Sequence, residues 1–84
     1  MRLDKYLKVS RIIKRRTVAN EACTAGRVTV NDKVAKPSTE VKEGDIISIR
    51  LGAKVLKAEV VSVREFAAKE AASEMYRVIS NDEA

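Results

Sequence analysis

Eighty-four residues with 17 Lys and Arg against 12 Asp and Glu give a formal charge of +5 and a pI near 9.6, which suits one small domain with an acidic partner and leaves no room for a two-domain enzyme. There is no apolar run of about eighteen residues and no signal-peptide-like apolar core, so a cytoplasmic protein without a membrane span is expected. A single cysteine, Cys23, excludes an internal disulfide, and the absence of histidine removes the usual zinc sets and His-based general-base schemes, so no metal, cofactor or catalytic residue is expected.

The charge is unevenly placed. Residues 1 to 16 hold Arg2, Lys5, Lys8, Arg11, Lys14, Arg15 and Arg16 against the single acid Asp4, a local balance of +6 that leaves −1 for the rest. A one-signed segment of this kind points to a polyanion docking there. On a helical wheel of about 100° per residue, Leu3, Tyr6, Leu7, Ser10 and Ile13 share a sector of about 120°, which predicts an amphipathic helix over residues 3 to 13. Thr17 precedes Val18, Ala19, Ala22 and Cys23, so a second, short helix is expected, capped by the Thr17 hydroxyl and ended by Gly26 in a left-handed conformation. The two helices meet at a basic corner, Lys14 to Thr17.

From Arg27 the period changes to two. Val28 and Val30 alternate with polar residues, and Asn31-Asp32 supplies a turn before Val34, which predicts a hairpin. Pro37-Ser38 interrupts, Glu43-Gly44-Asp45 turns again, and Ile46 to Leu51 reads as a strand leading through Gly52 into a second one over Val55 to Arg64. Residues 66 to 75 have the composition of a helix, and Tyr76 to Ile79 either extend it or turn extended. The expected fold class is α+β: two N-terminal helices packed on a small, curved antiparallel sheet, then a short C-terminal element.

The order Arg2-Leu3-Asp4-Lys5-Tyr6-Leu7, Lys14-Arg15-Arg16-Thr17 with Ala19, Gly26-Arg27-Val28-Thr29-Val30-Asn31, Lys36-Pro37-Ser38 and Gly44-Asp45-Ile46 resembles the S4 (alpha-L) RNA-binding domain. The match runs over about residues 2–50, and the S4-like module is expected to make up residues 1–84 as a single domain. Within that family the chain is most similar to the small S4-domain factors of bacterial ribosome-associated quality control, and is also similar to the S4-type ribosome-associated heat-shock protein. The resemblance implies a non-catalytic factor on the free large (50S) subunit carrying peptidyl-tRNA. It would contact 23S ribosomal RNA and tRNA, and support the partner RqcH in adding a C-terminal alanine tail. A monomer without a small-molecule substrate is expected. The alternatives are a heat-shock-type 50S recycling factor or the RNA-binding part of an RNA-modifying enzyme. One departure is that many S4 domains have Asn-Gly where this chain has Asn31-Asp32.

RNA duplexes expose phosphates and 2′-hydroxyls across a wide minor groove, so a rigid helix pair bearing Arg and Lys reads their shape. Arg15 and Arg16 are the candidates for defined contacts, because the guanidinium fork suits two phosphate oxygens. Arg2, Lys5, Lys8, Arg11 and Lys14 would supply a field, and Thr17 a helix N-terminus for phosphate. Asp4 reads as a first-turn acid favouring the helix dipole, Tyr6 as a core residue rather than a base-stacking one, and Cys23 as a small buried side chain. Lys36-Pro37-Ser38 is read as shaping a loop, and Met75 and Tyr76 as sealing the core.

Overall fold

The structure, a computed structural model, describes residues 1–83. Helix α1 spans Leu3–Val9 and buries Leu3, Tyr6 and Leu7 completely, the pattern that the three-and-four spacing demands. No side chain caps it. Instead the Leu3 N–H donates to the Thr39 carbonyl at 2.7 Å and the Asp4 N–H to the Pro37 carbonyl at 3.1 Å, so the loop around Lys36-Pro37-Ser38 satisfies donors that a helix start leaves free.

The helix ends four residues before the expected position at Ile13. Ser10 is the last residue near helical geometry and Arg11 follows at φ +63°, with its N–H bonded to the Lys8 carbonyl at 3.1 Å. This left-handed residue swings the chain back, the Ile13 N–H returns to the Leu7 carbonyl at 3.1 Å, and Ile13 re-enters the core. The apolar period at Ile13 therefore marks burial delivered by a turn.

Helix α2 spans Arg16–Thr24 and turns Ala19 and Cys23 inward. Its N-cap is the extended Arg15, whose carbonyl accepts from the Ala19 N–H at 3.0 Å, and no side chain caps it. Thr17 thus lies inside the first turn and is not the cap. Gly26, at φ +77°, closes the other end as expected: its N–H bonds to Cys23 and that of Arg27 to Ala22, both at 3.0 Å, a Schellman arrangement.

Among the described residues five antiparallel strands follow, β1 (Val28–Val30), β2 (Lys33–Val34), β3 (Ile46–Leu51), β4 (Lys54–Val60) and β5 (Tyr76–Glu83), in the order β2-β1-β3-β4-β5. Strand β4 stops before Arg64 because the N–H groups of both Val61 and Ser62 turn to the Met75 carbonyl, at 2.8 and 3.1 Å. The helix expected over residues 66 to 75 shrinks to a single turn, α3 (Lys69–Ala72). Its alanines favour a helix, but the Met75 carbonyl is bonded by the Val61 and Ser62 N–H groups, and the chain turns there into β5. Tyr76 to Ile79 are extended, in β5, which pairs with β4 along its length with one register shift at Lys57/Ala58. The α+β class, with helices before a small antiparallel sheet, is as the sequence predicts.

Two parts of the sequence pattern turn out to hold each other. Asn31 accepts from the Ile46 N–H at 3.0 Å through Oδ1 and donates to the Asp45 carboxylate at 3.1 Å through Nδ2. Asp45, itself buried, accepts from the Lys42 N–H at 3.0 Å, so the hairpin and the Gly44 turn are locked together. Both Asn31 (φ +53°) and Asp32 (φ +68°) are left-handed, as a tight two-residue hairpin turn requires. Asn31 earns its position through these bonds, whereas Asp32 is exposed. Asp32→Gly is therefore expected to stabilise the fold by about 0.5–1 kcal/mol, raising the melting temperature by roughly 3–6 °C in calorimetry; a drop would show that the Asp32 side chain makes a favourable contact.

The helices are tied to the far end of the chain by Tyr6, whose fully buried hydroxyl donates to the Met75 carbonyl at 2.7 Å. Burial, then the nearby Tyr76, push its phenol well above the usual range. Tyr6 is thus a core residue, and Met75 is fully buried in the same cluster.

Candidate nucleic-acid interface

The short α1, the turn after it and the start of α2 form one wall of a groove of about 740 Å³. Lys5 and Lys8 come from α1, Arg11 and Lys14 from the turn, and Arg16 from the first residue of α2. The opposite wall is the Glu65–Lys69 segment between β4 and α3, which adds Glu65, Phe66, Ala67 and Lys69. Six cations and one acid thus line one depression. Five of the cations belong to the basic opening of the sequence.

The other three candidate residues sit elsewhere. Arg2 lines a neighbouring groove of about 460 Å³ together with Lys36 and Pro37. Arg15 and Thr17 are exposed at the start of α2 and line neither groove. The first turn of α2 itself holds no acidic residue.

Asp4 links the two grooves. Its carboxylate is buried and accepts from the Lys5 N–H at 2.8 Å, from Arg2 at 3.3 and 3.4 Å, from Arg16 Nη2 at 3.4 Å and from Asn20 Nδ2 at 3.4 Å. Burial alone would raise its pKa, but the hydrogen bonds from Asn20, Arg16 and the Lys5 N–H, with the Arg16 charge, outweigh it and hold the carboxyl below the ordinary value of 3.8. Asp4 is the first-turn acid that the sequence suggests, and it is also a hub that orients two guanidinium groups. The Arg2 and Arg16 side chains remain about half exposed, at 52% and 48%. Each therefore has N–H donors left for a second acceptor.

Lys5 is the one groove cation from the N-terminal segment with an acid across the gap: its ammonium pairs with Glu65, and this bond and charge hold the Glu65 carboxyl below its usual range. Among the described residues, Lys8, Arg11 and Lys14 pair with no carboxylate. Glu65→Gln is expected to release Lys5 and remove the one acid that lines the groove among the described residues. Affinity for a phosphate-bearing RNA should rise, and its log–log dependence on salt should steepen by about one unit in titrations at several salt concentrations. An unchanged slope would place Lys5 outside the contact.

Cys23 is buried beneath the helices, and its thiol is pushed up to about 11, first by burial and then by the Asp4 charge. It is a protonated, inert filler at neutral pH. Composition alone did not reveal Glu65, Phe66 and Lys69 as groove residues. The available signal was Phe66 itself: a helix there would place Lys69 and Glu70 at three and four residues onward, so the ring has no apolar partner on its own face.

The chain is similar to several known proteins. The S4 domain family matches residues 1–47. A Halalkalibacterium halodurans protein named RQC P-site tRNA stabilizing factor is 58% identical over 78 residues, covering 93% of this chain and 89% of that one. A Bacillus subtilis protein of the same name is 44% identical over 82 residues, covering 98% and 95% of the two chains. Among solved structures, the trimeric heat shock protein 15 of Vibrio cholerae superposes with a TM-score of 0.87 at 30% identity, over 95% of this chain and 82% of that one.

Proposed function

The chain belongs to the S4 domain family, among relatives named RQC P-site tRNA stabilizing factor, and from that membership we propose how its cationic groove is used. The protein is a cytoplasmic, non-catalytic RNA-binding factor that acts as a monomer. It binds the free 50S subunit carrying peptidyl-tRNA, contacts 23S ribosomal RNA and tRNA together, and supports RqcH in C-terminal alanine tailing of stalled chains.

The observation that carries this reading is the convergence of Lys5, Lys8, Arg11, Lys14 and Arg16 on one groove in a chain with these relatives. Arg16 meets phosphate with a guanidinium already oriented by Asp4, so less side-chain freedom is lost on binding. The lysines and Arg11 add attraction that does not depend on sequence. Arg2 and Lys36 on the adjoining groove offer a second polyanion contact, and the free N–H groups at the start of α2, where Thr17 lies, offer a third. Two cationic faces joined through one buried carboxylate suit a protein that holds two RNA molecules in a fixed relation. No step of bond making is assigned to any side chain.

The test is fractionation of ribosomal particles from stalled translation reactions, followed by assay of which species holds the protein and whether tRNA occupies it. Enrichment on 50S particles with tRNA is expected. The likeness to heat shock protein 15 favours a second reading, a recycling factor for split subunits, which would instead give equal binding to 50S particles lacking tRNA.

A further inference from the structure

We propose that Phe66 is a stacking platform for an unpaired RNA base at the rim of the cationic groove. The inference rests on the reading of that groove as an RNA-binding surface. Phe66 is 85% exposed, the most exposed large apolar side chain among the described residues. It is absent from the core cluster, whereas its neighbour Ala67 packs against that cluster and so anchors the segment. The ring thus stands between Val63 and Ala67, two side chains that pack against the core. A single exposed apolar side chain is ordinary on a protein surface; what marks this one is that it is aromatic and lines the cationic groove, where a base could stack on it.

The surroundings choose the partner. Phe66 shares its groove with Lys5, Lys8, Arg11, Lys14, Arg16 and Lys69 against the single acid Glu65. An apolar protein surface would have to strip water from these ammonium and guanidinium groups without neutralising them. A nucleotide does both tasks at once: its phosphates meet the cations and its base offers an apolar face to the ring. A fully paired helix hides its base faces, so the ring selects unstacked nucleotides in loops or bulges. Phe66 would therefore supply discrimination that the charges cannot supply.

Two RNA probes separate the contributions: a stem-loop with an adenine-rich loop, and the uninterrupted duplex of the same stem. Phe66→Ala is expected to weaken stem-loop binding roughly 5- to 140-fold, leaving duplex binding and the salt dependence unchanged. Because the ring is exposed, thermal unfolding should hardly move. Phe66→Trp gives a chain that otherwise lacks tryptophan a single reporter, and its emission should be quenched by the stem-loop but not by the duplex. Unchanged stem-loop affinity for Phe66→Ala, equal weakening on both probes, or an unquenched tryptophan at saturating stem-loop would each overturn the stacking role while leaving RNA binding by the groove intact. If an acidic peptide binds more tightly than the stem-loop, and Phe66→Ala abolishes that binding, the ring belongs to a protein contact and the inference falls. If the unaltered protein binds neither RNA, the underlying reading falls with it.

Discussion

Arg16→Glu is expected to weaken binding to 50S subunits carrying peptidyl-tRNA by about 100-fold, the combined effect of a lost charge-assisted phosphate contact and a new repulsion at the same point. Arg16 is singled out because it is the one guanidinium that both lines the groove and is held by Asp4. The new carboxylate would also face Asp4, so stability must be followed alongside binding by circular dichroism and thermal melting. Arg16→Ala, which removes the contact without repulsion, should retain the fold and lose about 10-fold. Arg16→Lys should recover only part of that loss, since an ammonium cannot bond Asp4 and phosphate in the same planar fork. Co-sedimentation unchanged by all three variants would remove Arg16 from the interface.

Asp4→Asn is the second large effect, and it separates geometry from charge. The substitution keeps the shape but removes the anion on which Arg2, Arg16, Asn20 and the Lys5 N–H converge. A destabilisation of about 2 kcal/mol is expected, or a melting temperature lower by roughly 10 °C in a domain of this size. Simple electrostatics predicts tighter RNA binding once a negative charge is gone. We expect the reverse, a loss of roughly 2- to 10-fold, because Arg2 and Arg16 are no longer held in place. Tighter binding would show that the carboxylate only screens the groove. The same residue sets an acid dependence. Its carboxyl titrates below the ordinary 3.8 in the folded state, so its stabilisation is fully present above 3.8 and disappears as pH falls through the lower folded-state value. The Asp4→Asn variant should lack that step in acid-unfolding curves.

Much of this architecture was legible in residue order. The alternation around Val28 and Val30, the turn pair Asn31-Asp32, and Gly26 and Gly44 at positive φ each carry a local physical requirement, so hairpin, strand and helix end fell where expected. Sequence pattern and structure part where long-range contacts decide. Nothing near Arg11 in the sequence announces that an arginine takes the conformation that Gly26 takes at the end of α2. Local propensity argues against it, and a bulky residue in that region stores strain of about 1 kcal/mol. The left-handed turn at Arg11 brings its side chain to the groove lining and lets Ile13 return to the core. The segment from Phe66 misled in the opposite sense: alanine content favoured a helix, but Met75 was already committed to Tyr6, Val61 and Ser62.

The basic cluster itself was visible as a local charge of +6, while its division was not. Five residues share one groove, Arg2 faces another, and Arg15 and Thr17 stand at the start of α2. Separating them required the early end of α1, which carries Arg11 and Lys14 around the corner beside Lys5 and Lys8. Asp4 shows a similar gap. A first-turn acid is a local motif, but its bonds to Arg16 and Asn20 cross between helices.

If a preformed cationic groove neutralises RNA phosphates, the affinity for 50S–peptidyl-tRNA particles must depend on salt. With about four to six phosphates engaged, log affinity should fall against log salt with a slope of roughly −3 to −5, and the slope should become shallower by about one in Arg16→Ala. An affinity that does not change with salt would contradict it.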